Sequence, residues 1–140
     1  PRVDLERAPA LLKAVSEVIS LGLVQAAHDC SEGGLAVAAA EMAFAGGLGL
    51  EMDLKQVRGA DPLNRNDAIL FSESSTRFLL EVPPEKEPEF RQRLAQFPVG
   101  RIGIFREGAQ FRAIGLEGKP IIDTTIDALR EAWESPFKGW

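Results

Sequence analysis

Two short polar stretches carry most of the residues whose types and spacing could do chemistry. The first, HDCSEGG at residues 28–34, places an imidazole, two carboxylates, a thiol and a hydroxyl just before an alanine-rich run. Because backbone N–H groups at a helix start attract anions, this stretch predicts a phosphate contact. The second, SESSTR at residues 72–77, offers hydroxyls, a carboxylate and a guanidinium to a sugar or amide ligand. The candidate ligand-contacting residues are Ser31, Glu32, Gly33, Gly34, Glu73, Ser74 and Arg77.

A structural interpretation of the same residues stays open. Ser31 is suited to cap the following helix, and Glu32 lies where the positive end of the helix dipole favours a carboxylate. In the second stretch, Arg77 can pair with Glu73 across a turn. The pattern Gly-x-x-x-x-Gly-Lys of a phosphate-binding loop is absent.

The single histidine, His28, could act as a general base, but we interpret it and Asp29 as hydrogen-bonded structural residues. Cys30 lacks a second histidine to activate it as a nucleophile, so we expect a small buried apolar side chain. Asp29 and Glu32 alone are a weak signal for Mg²⁺, and no metal site is assigned.

Composition narrows the function classes. The chain has 140 residues with 45% hydrophobic and 26% charged residues, as expected for one globular domain spanning residues 1–140. A net charge of -5 argues against nucleic-acid binding, and no apolar run is long enough to cross a membrane. One cysteine excludes an internal disulfide and favours the cytoplasm. Because the chain begins with Pro1, we expect a fragment or processed piece of something longer.

The first half of the chain predicts elements that would position these polar stretches. Periodicity indicates a helix over residues 4–21, ended by Gly22, and an apolar run predicts a strand at 23–27. The alanine-rich residues 35–45 predict a helix that stops at Gly46 and Gly47. A half-buried strand is expected at 48–53 and a short helix at 62–71, with Pro62 in its first turn.

The second half predicts a strand at 78–82, a surface helix at 85–96 and a strand at 99–105. Glu107 and Gly108 then predict a hairpin turn into 111–116, and a second turn leads into 121–122. A last helix is expected over 125–133, capped by Asp123 or Thr124, followed by a tail that could dock on a neighbour. Crossovers mixed with hairpins predict an α+β fold with a mixed sheet flanked by helices.

Taken together, HDCSEGGLAVAAAEMAFAGGLG, FSESSTRFLLEV and the later VGRIG resemble one family. The chain is similar to the C-terminal domain of the aminoimidazole ribonucleotide synthetase-like superfamily. Within it, the two blocks are most similar to the large subunits of phosphoribosylformylglycinamidine synthases. This resemblance implies a three-layer α/β/α domain that is partly ferredoxin-like. It covers nearly the whole chain and implies that residues 1–140 are the C-terminal fragment of a longer multidomain chain.

The resemblance also implies an activity and partners. Such enzymes are ATP-dependent ligases of purine biosynthesis that use ATP and Mg²⁺ to convert formylglycinamide ribonucleotide into its amidine, with ammonia from a glutaminase. The implied partners are N-terminal domains of the same chain, a glutaminase subunit and a small accessory subunit. The large subunit of that family contains two copies of this domain, one of which helps to form the substrate site. In that copy, the stretch that matches Glu73-Ser74-Ser75 has the sequence Glu-Ser-Gln. Here Ser75 replaces the glutamine.

In that family, the residues that bind the nucleotide and Mg²⁺ and the catalytic histidines lie on the N-terminal domains. We therefore predict that residues 1–140 alone bind no cofactor and have no synthase activity. Alternative hypotheses are the C-terminal domain of another superfamily member, such as aminoimidazole ribonucleotide synthetase or a small-molecule kinase, and a non-catalytic assembly module.

Overall fold

The computed structural model describes residues 4–59 and 64–138. Within these ranges the chain forms five helices, six strands and three short 3₁₀ segments at Leu54–Gln56, Pro84–Lys86 and Ser135–Phe137. The longer elements, in chain order, are α1 (Arg7–Ser20), β1 (Ala26–Asp29), α2 (Gly34–Gly46), β2 (Gly49–Asp53), α3 (Asn66–Phe71), β3 (Phe78–Glu81), α4 (Glu87–Arg93), β4 (Gly103–Arg106), β5 (Gln110–Ile114), β6 (Pro120–Thr125) and α5 (Ile126–Glu134).

The six strands divide between two sheets. β1 and β3 form an antiparallel ribbon, and the other four form a sheet in the order β4-β2-β5-β6. In that sheet β2 runs antiparallel to β4 but parallel to β5, so the sheet is mixed. The predicted α+β class with a mixed sheet is therefore confirmed. The separate ribbon was not predicted.

The predicted hairpin at Glu107 and Gly108 is wrong in its pairing. β2 lies between β4 and β5, so residues 107–109 cross the start of β2 instead of joining two neighbouring strands. This crossing requires a glycine at position 49, because a Cβ there would lie 2.6 Å from the Gln110 carbonyl oxygen. The predicted hairpin between β5 and β6 does form, with Gly118 N–H donating to the Gly115 carbonyl at 2.9 Å.

Helix α2 is buried on nearly all sides. It packs against both sheets and against α3 and α5, and Ala38, Ala39 and Ala43 are almost completely buried. Small side chains let neighbouring backbones approach, which explains the alanine-rich sequence. Around α2 lies the main core, whose largest fully buried members include Met52, Leu54, Ile69 and Phe111.

A second hydrophobic cluster joins α1 to α4. It contains Val18, Leu23, Phe90 and Leu94. The surface helix predicted at 85–96 is α4 at Glu87–Arg93, so Leu94 joins Phe90 in this cluster from the position just after the helix. Beside the buried face of α1 lies an exposed apolar stripe formed by Leu12 and Ile19 of α1 and by Leu5 just before the helix, which are 49%, 45% and 81% exposed. We refer to these three residues as the α1 stripe.

The strand predicted at 23–27 instead begins at Ala26, and the reason is a helix cap. Gly22 has φ +67° and its N–H donates to the Ile19 carbonyl, while Leu23 N–H donates to the Val18 carbonyl at 3.0 Å. These two bonds end α1, and the side chain of Leu23 packs into the second cluster beside Val18. Leu23 is therefore apolar because it closes a helix.

Other boundaries shift by a few residues. The strand predicted at 99–105 is β4 at Gly103–Arg106, and the helix predicted at 62–71 is α3, which begins at Asn66. Pro62 lies outside the described residues. The cap of α5 is Thr125, whose Oγ1 accepts from Ala128 N–H at 3.2 Å, so assigning the cap to Asp123 or Thr124 was wrong. Across the described ranges, each helix is too short or too polar to cross a membrane.

Candidate functional site

The two polar stretches singled out in the sequence line one cleft. This cleft has a volume of about 350 Å³ and is partly open to solvent. Its walls are residues 29–32 and 73–78, with Leu12 of α1 beside them. Five of the seven predicted ligand-contacting residues line the cleft, namely Ser31, Glu32, Glu73, Ser74 and Arg77.

Pairing of β1 with β3 explains why residues 40 positions apart in the chain meet. Asp29, at the end of β1, lies opposite Phe78, at the start of β3. The pairing continues past both strands, because Cys30 N–H donates to the Arg77 carbonyl at 2.9 Å. The polar residues after β1 and before β3 therefore emerge side by side at the same end of the ribbon.

The start of α2 differs from the prediction. The cap residue is Gly33, with φ +70°, which has no side chain that could cap the helix. Ser31 Oγ instead donates to the Asp29 carboxylate, so assigning Ser31 as the cap was wrong. Glu32 precedes the helix, and the first turn contains no acidic residue.

Glu73 supplies the carboxylate at this helix start. Its Oε1 accepts from Gly33 N–H at 3.0 Å. A phosphate oxygen would bind a free N–H group of this kind, so Glu73 occupies the position expected for an anion. In addition, a Cβ at Gly34 would lie 2.7 Å from the Leu70 carbonyl oxygen, so this glycine allows α2 to approach the end of α3.

Arg77 closes the C-terminal end of α3. Its guanidinium donates to the carbonyl and Oγ of Ser72 at 2.9 and 2.7 Å and to the Ile69 carbonyl at 3.0 Å. Cationic side chains commonly satisfy carbonyls at this end of a helix. The interpretation that pairs Arg77 with Glu73 is wrong, since their hydrogen bonds go to different groups.

Charge limits which ligands suit the cleft. Asp29, Glu32 and Glu73 contribute three carboxylates, and Arg77 is the one cation among the lining residues. A free phosphate meets net repulsion here unless cations from another source neutralise it. Among the residues that the structure describes, no three His, Cys, Asp or Glu side chains are grouped as a metal site requires.

The titratable groups beside the cleft are perturbed by their contacts. The hydrogen bond from Ser31 is the largest cause that lowers the pKa of Asp29. Burial raises the pKa of the Cys30 thiol, and Cys30 is buried as expected. Burial lowers the pKa of His28, but hydrogen bonds with the Asp29 carbonyl and Glu41, together with the negative charges of the Glu41 and Asp29 carboxylates, outweigh it and leave this pKa raised.

Thr76 is the one described non-glycine residue with positive φ, at +60°. A β-branched residue in this region is a genuine outlier, because its Cβ substituents crowd the backbone. Its Oγ1 donates to the Ser75 carbonyl at 2.6 Å. Strained backbone of this kind concentrates at ligand-binding loops, and Thr76 lines the cleft.

One known protein family matches most of the chain. The family described as AIR synthase related protein, C-terminal domain, matches residues 1–115. The chain belongs to this family. The match includes both walls of the cleft, whereas β6 and α5 lie beyond it.

Known relatives of this AIR synthase related domain include phosphoribosylformylglycinamidine synthase subunits PurL. The subunit from Moorella thermoacetica is 41% identical over 133 residues, which cover 95% of this chain and 17% of the relative. The subunit from Methanocaldococcus jannaschii is 35% identical over 138 residues, covering 98% of this chain and 18% of the relative. The chain thus spans less than a fifth of these relatives.

Solved structures share the fold of the domain. Thermotoga maritima PurL complexed with ATP has a TM-score of 0.76 at 24% identity, over 85% of this chain and 21% of that one. HypE from E. coli, a hydrogenase maturation protein, has a TM-score of 0.59 at 19% identity, over 82% of this chain and 38% of that one. At these identities the likeness shows the fold alone.

Sequence reasoning missed two residues that are linked to the site of this domain through His28, namely Glu41 and Trp133. Glu41 is the sole charged residue of α2, and it bonds both His28 and Trp133. A carboxylate in a buried, apolar helix requires partners, so its isolation in the sequence was an available signal. No comparable signal in the sequence marked Trp133 or the backbone of Thr76.

Proposed function

We propose that the chain acts as the C-terminal AIR synthase related domain of a phosphoribosylformylglycinamidine synthase large subunit. In that enzyme, ATP would activate formylglycinamide ribonucleotide and ammonia would convert it to the amidine. The observation that carries the proposal is 41% identity to Moorella thermoacetica PurL over 95% of this chain. The synthase reaction, its substrates and its ATP and Mg²⁺ belong to the whole enzyme, so they are proposed for a longer assembly.

The cleft is the part of the domain proposed to contact ligand. Glu32 and Ser74 line it and make no side-chain hydrogen bond among the described residues, so both are available to a substrate. Ser31, Gly33, Gly34, Glu73 and Arg77 are instead engaged in contacts that shape the walls. Because the lining is acidic, a phosphate-bearing substrate here depends on Mg²⁺ or basic side chains from other domains.

The domain alone is proposed to be inactive as a synthase. Its single histidine, His28, is bonded at both ring nitrogens, to Glu41 and to the Asp29 carbonyl. Its one cleft cation, Arg77, is tied to α3. Neither group is free to stabilise a transferring phosphoryl group, which requires positioned cations.

Partners follow from the same proposal. N-terminal domains of the parent chain, a glutaminase subunit and a small accessory subunit would complete the enzyme in the cytoplasm. The α1 stripe supports a protein partner, because contiguous exposed apolar side chains mark interaction surfaces. Leu12 belongs both to this stripe and to the cleft lining, so a domain covering the stripe would also close the cleft.

A domain exchange tests the proposal. The 133 matching residues of Moorella thermoacetica PurL are replaced by those of this chain, and amidine formation is assayed with ATP, ammonia and formylglycinamide ribonucleotide. We expect the chimera to retain activity and the 140-residue chain alone to have none. The matching domain of E. coli HypE, which shares the fold at lower identity, serves as the control and should not support activity.

Variants of the active chimera test the cleft. Glu32→Gln and Ser74→Ala should each raise KM for the ribonucleotide up to roughly tenfold with little change in kcat, as expected for one lost hydrogen bond in binding. Glu131→Gln removes an exposed carboxylate of α5 and should leave KM unchanged. A folded but inactive chimera would refute the proposed function, and unchanged KM in both cleft variants would refute the assignment of the cleft.

A further inference from the structure

His28 connects the wall of the cleft to helix α2. Its Nδ1 donates to the Asp29 carbonyl at 2.7 Å, and its Nε2 donates to Glu41 Oε2 at 2.7 Å. Neither acceptor carries a hydrogen to give, because one is a carbonyl and the other a carboxylate. Both bonds therefore form together only when the imidazole carries both protons.

Glu41 extends this connection to α5. Its second oxygen, Oε1, accepts from Trp133 Nε1–H at 3.1 Å. The indole of Trp133 also packs on Phe44 of α2 and on Phe137, at ring-centroid distances of 5.8 and 6.1 Å. Trp133 is thus held by a polar contact on one side and by aromatic packing on the other.

The same connection ends in the wall of the cleft. Asp29 and Ser31 line the cleft, and Ser31 Oγ donates to the Asp29 carboxylate. A path of contacts thus runs from α5 through α2 to the cleft, in the order Trp133, Glu41, His28, Asp29 and Ser31. It passes through Asp29 covalently, because His28 bonds the backbone carbonyl and Ser31 bonds the side-chain carboxylate. We call these five residues the bridge.

We propose that His28, Glu41 and Trp133 are positioning residues that fix the Asp29–Ser31 wall of the cleft, so that α5 sets the shape of a site it does not touch. The bridge is complete only while His28 is protonated, which makes the wall sensitive to pH. The charged groups that contact His28 are Glu41 from α2 and Asp29 from its own strand, whereas its partner on β3 is the uncharged Leu79. That the wall contacts a ligand rests on the function proposed above.

Trp133 provides a direct readout of the bridge. The chain has two tryptophans, so Trp140→Phe leaves Trp133 as the single indole. We expect its fluorescence to titrate with a midpoint above the ordinary value for histidine, and the amide resonances of Cys30 and Ser31 to titrate with the same midpoint. His28→Gln should abolish all three titrations. Glu131→Gln, which alters a neighbouring carboxylate of α5, should leave them intact.

Trp133→Phe separates positioning from packing. Phenylalanine keeps an aromatic ring against Phe44 but cannot donate to Glu41. Loss of that donor leaves the Glu41 carboxylate more attractive to the imidazolium, so the midpoint of His28 should rise by a few tenths of a unit, on the order of the effect of one neutral hydrogen bond. Packing alone would not move this midpoint.

Two outcomes would overturn the proposal: cleft amides that do not follow the titration of His28, or a midpoint unchanged in Trp133→Phe. These measurements require no substrate and no activity. An inactive chimera with intact titrations would therefore reject the proposed function but not the bridge. An active chimera without these titrations would reject the bridge but not the proposed function.

Discussion

Two glycines at opposite ends of α2, Gly34 and Gly46, show how residues of one type differ in their demands. Gly34 has φ +64°, and a Cβ there would lie 2.7 and 2.8 Å from the carbonyl oxygens of Leu70 and Ser72. Gly46 has ordinary φ and no neighbour within 4 Å of a Cβ. The first glycine permits a close contact between helices, and the second carries no such constraint.

We therefore expect Gly34→Ala to lower the free energy of unfolding by at least about 2 kcal/mol, from backbone strain and a clash with fixed carbonyls. Gly46→Ala should be neutral or raise it by up to about 1 kcal/mol, because alanine restricts the unfolded chain. Urea denaturation of both variants measures the difference. Similar values for the two would show that α2 and α3 do not approach as closely as described.

The raised pKa of His28 predicts a pH-dependent stability. A histidine whose folded pKa lies above its unfolded value stabilises the fold fully below the unfolded value, and this contribution is lost as pH rises through the folded value. The difference in free energy of unfolding between the wild type and His28→Gln should therefore shrink from about pH 5.5 to about pH 8.5. A difference that grows with pH would mean that burial, which lowers this pKa, dominates instead.

The sequence allowed us to predict which residues form the site, but not which of them contact one another. Both polar stretches were recognisable because hydroxyls, carboxylates and glycines cluster there, and β1–β3 pairing brings them together. Which carboxylate meets the start of α2 was not predictable, since Glu32 is adjacent in sequence and Glu73 is 41 residues further on. Long-range pairing decided that contact, and local helix-capping preferences did not.

At the scale of elements, the start of α5 tests a cap that local sequence left ambiguous. Three successive residues, Asp123, Thr124 and Thr125, all have side chains suited to capping. In the structure Thr125 accepts from Ala128 N–H, whereas Asp123 accepts from Arg112 across the sheet. The β5–β6 register therefore decides which residue is available.

We expect Thr125→Ala to cost about 1 kcal/mol of unfolding free energy through loss of the cap. Thr124→Ala, which removes a neighbouring hydroxyl of the same strand, should cost less than half as much. Thermal unfolding followed by circular dichroism compares the two. If Thr124→Ala were the more damaging change, the cap would lie one residue earlier than the structure places it.

The elements themselves were mostly predictable where a local pattern and the tertiary contacts agreed. The alanine-rich run became α2, and the alternating residues before Asp53 became β2. Leu23 misled because a residue that closes a helix against Val18 is as apolar as a residue in a strand. Glu107 and Gly108 led to a wrong prediction, because residues that favour a turn do not show whether a third strand lies between the two strands that the turn joins.

For the whole molecule, the α1 stripe predicts a difference between the isolated domain and a longer enzyme. Leu5→Gln and Ile19→Gln replace exposed side chains outside the cleft, so each should change the stability of the isolated chain by no more than about 0.5 kcal/mol. In the PurL chimera the same changes should lower the melting temperature, because the stripe would be covered. Val18→Ala, in the second cluster, should destabilise both proteins.

Differential scanning fluorimetry of the isolated chain and the chimera provides the comparison. Equal effects of Leu5→Gln and Ile19→Gln in both settings would show that nothing covers the stripe in the longer enzyme.

The short crossing at residues 107–109 has a consequence for how the polypeptide assembles. β4 and β5 are close in sequence and could pair directly early in folding. In the native sheet β2 lies between them, with Leu50 of β2 paired to Phe111 of β5. A contact formed early between β4 and β5 would have to break before β2 could insert between them. The pairings of β2 with β4 and β5 join residues far apart in the sequence, and pairings of this kind form slowly. We therefore expect refolding to be limited by this insertion.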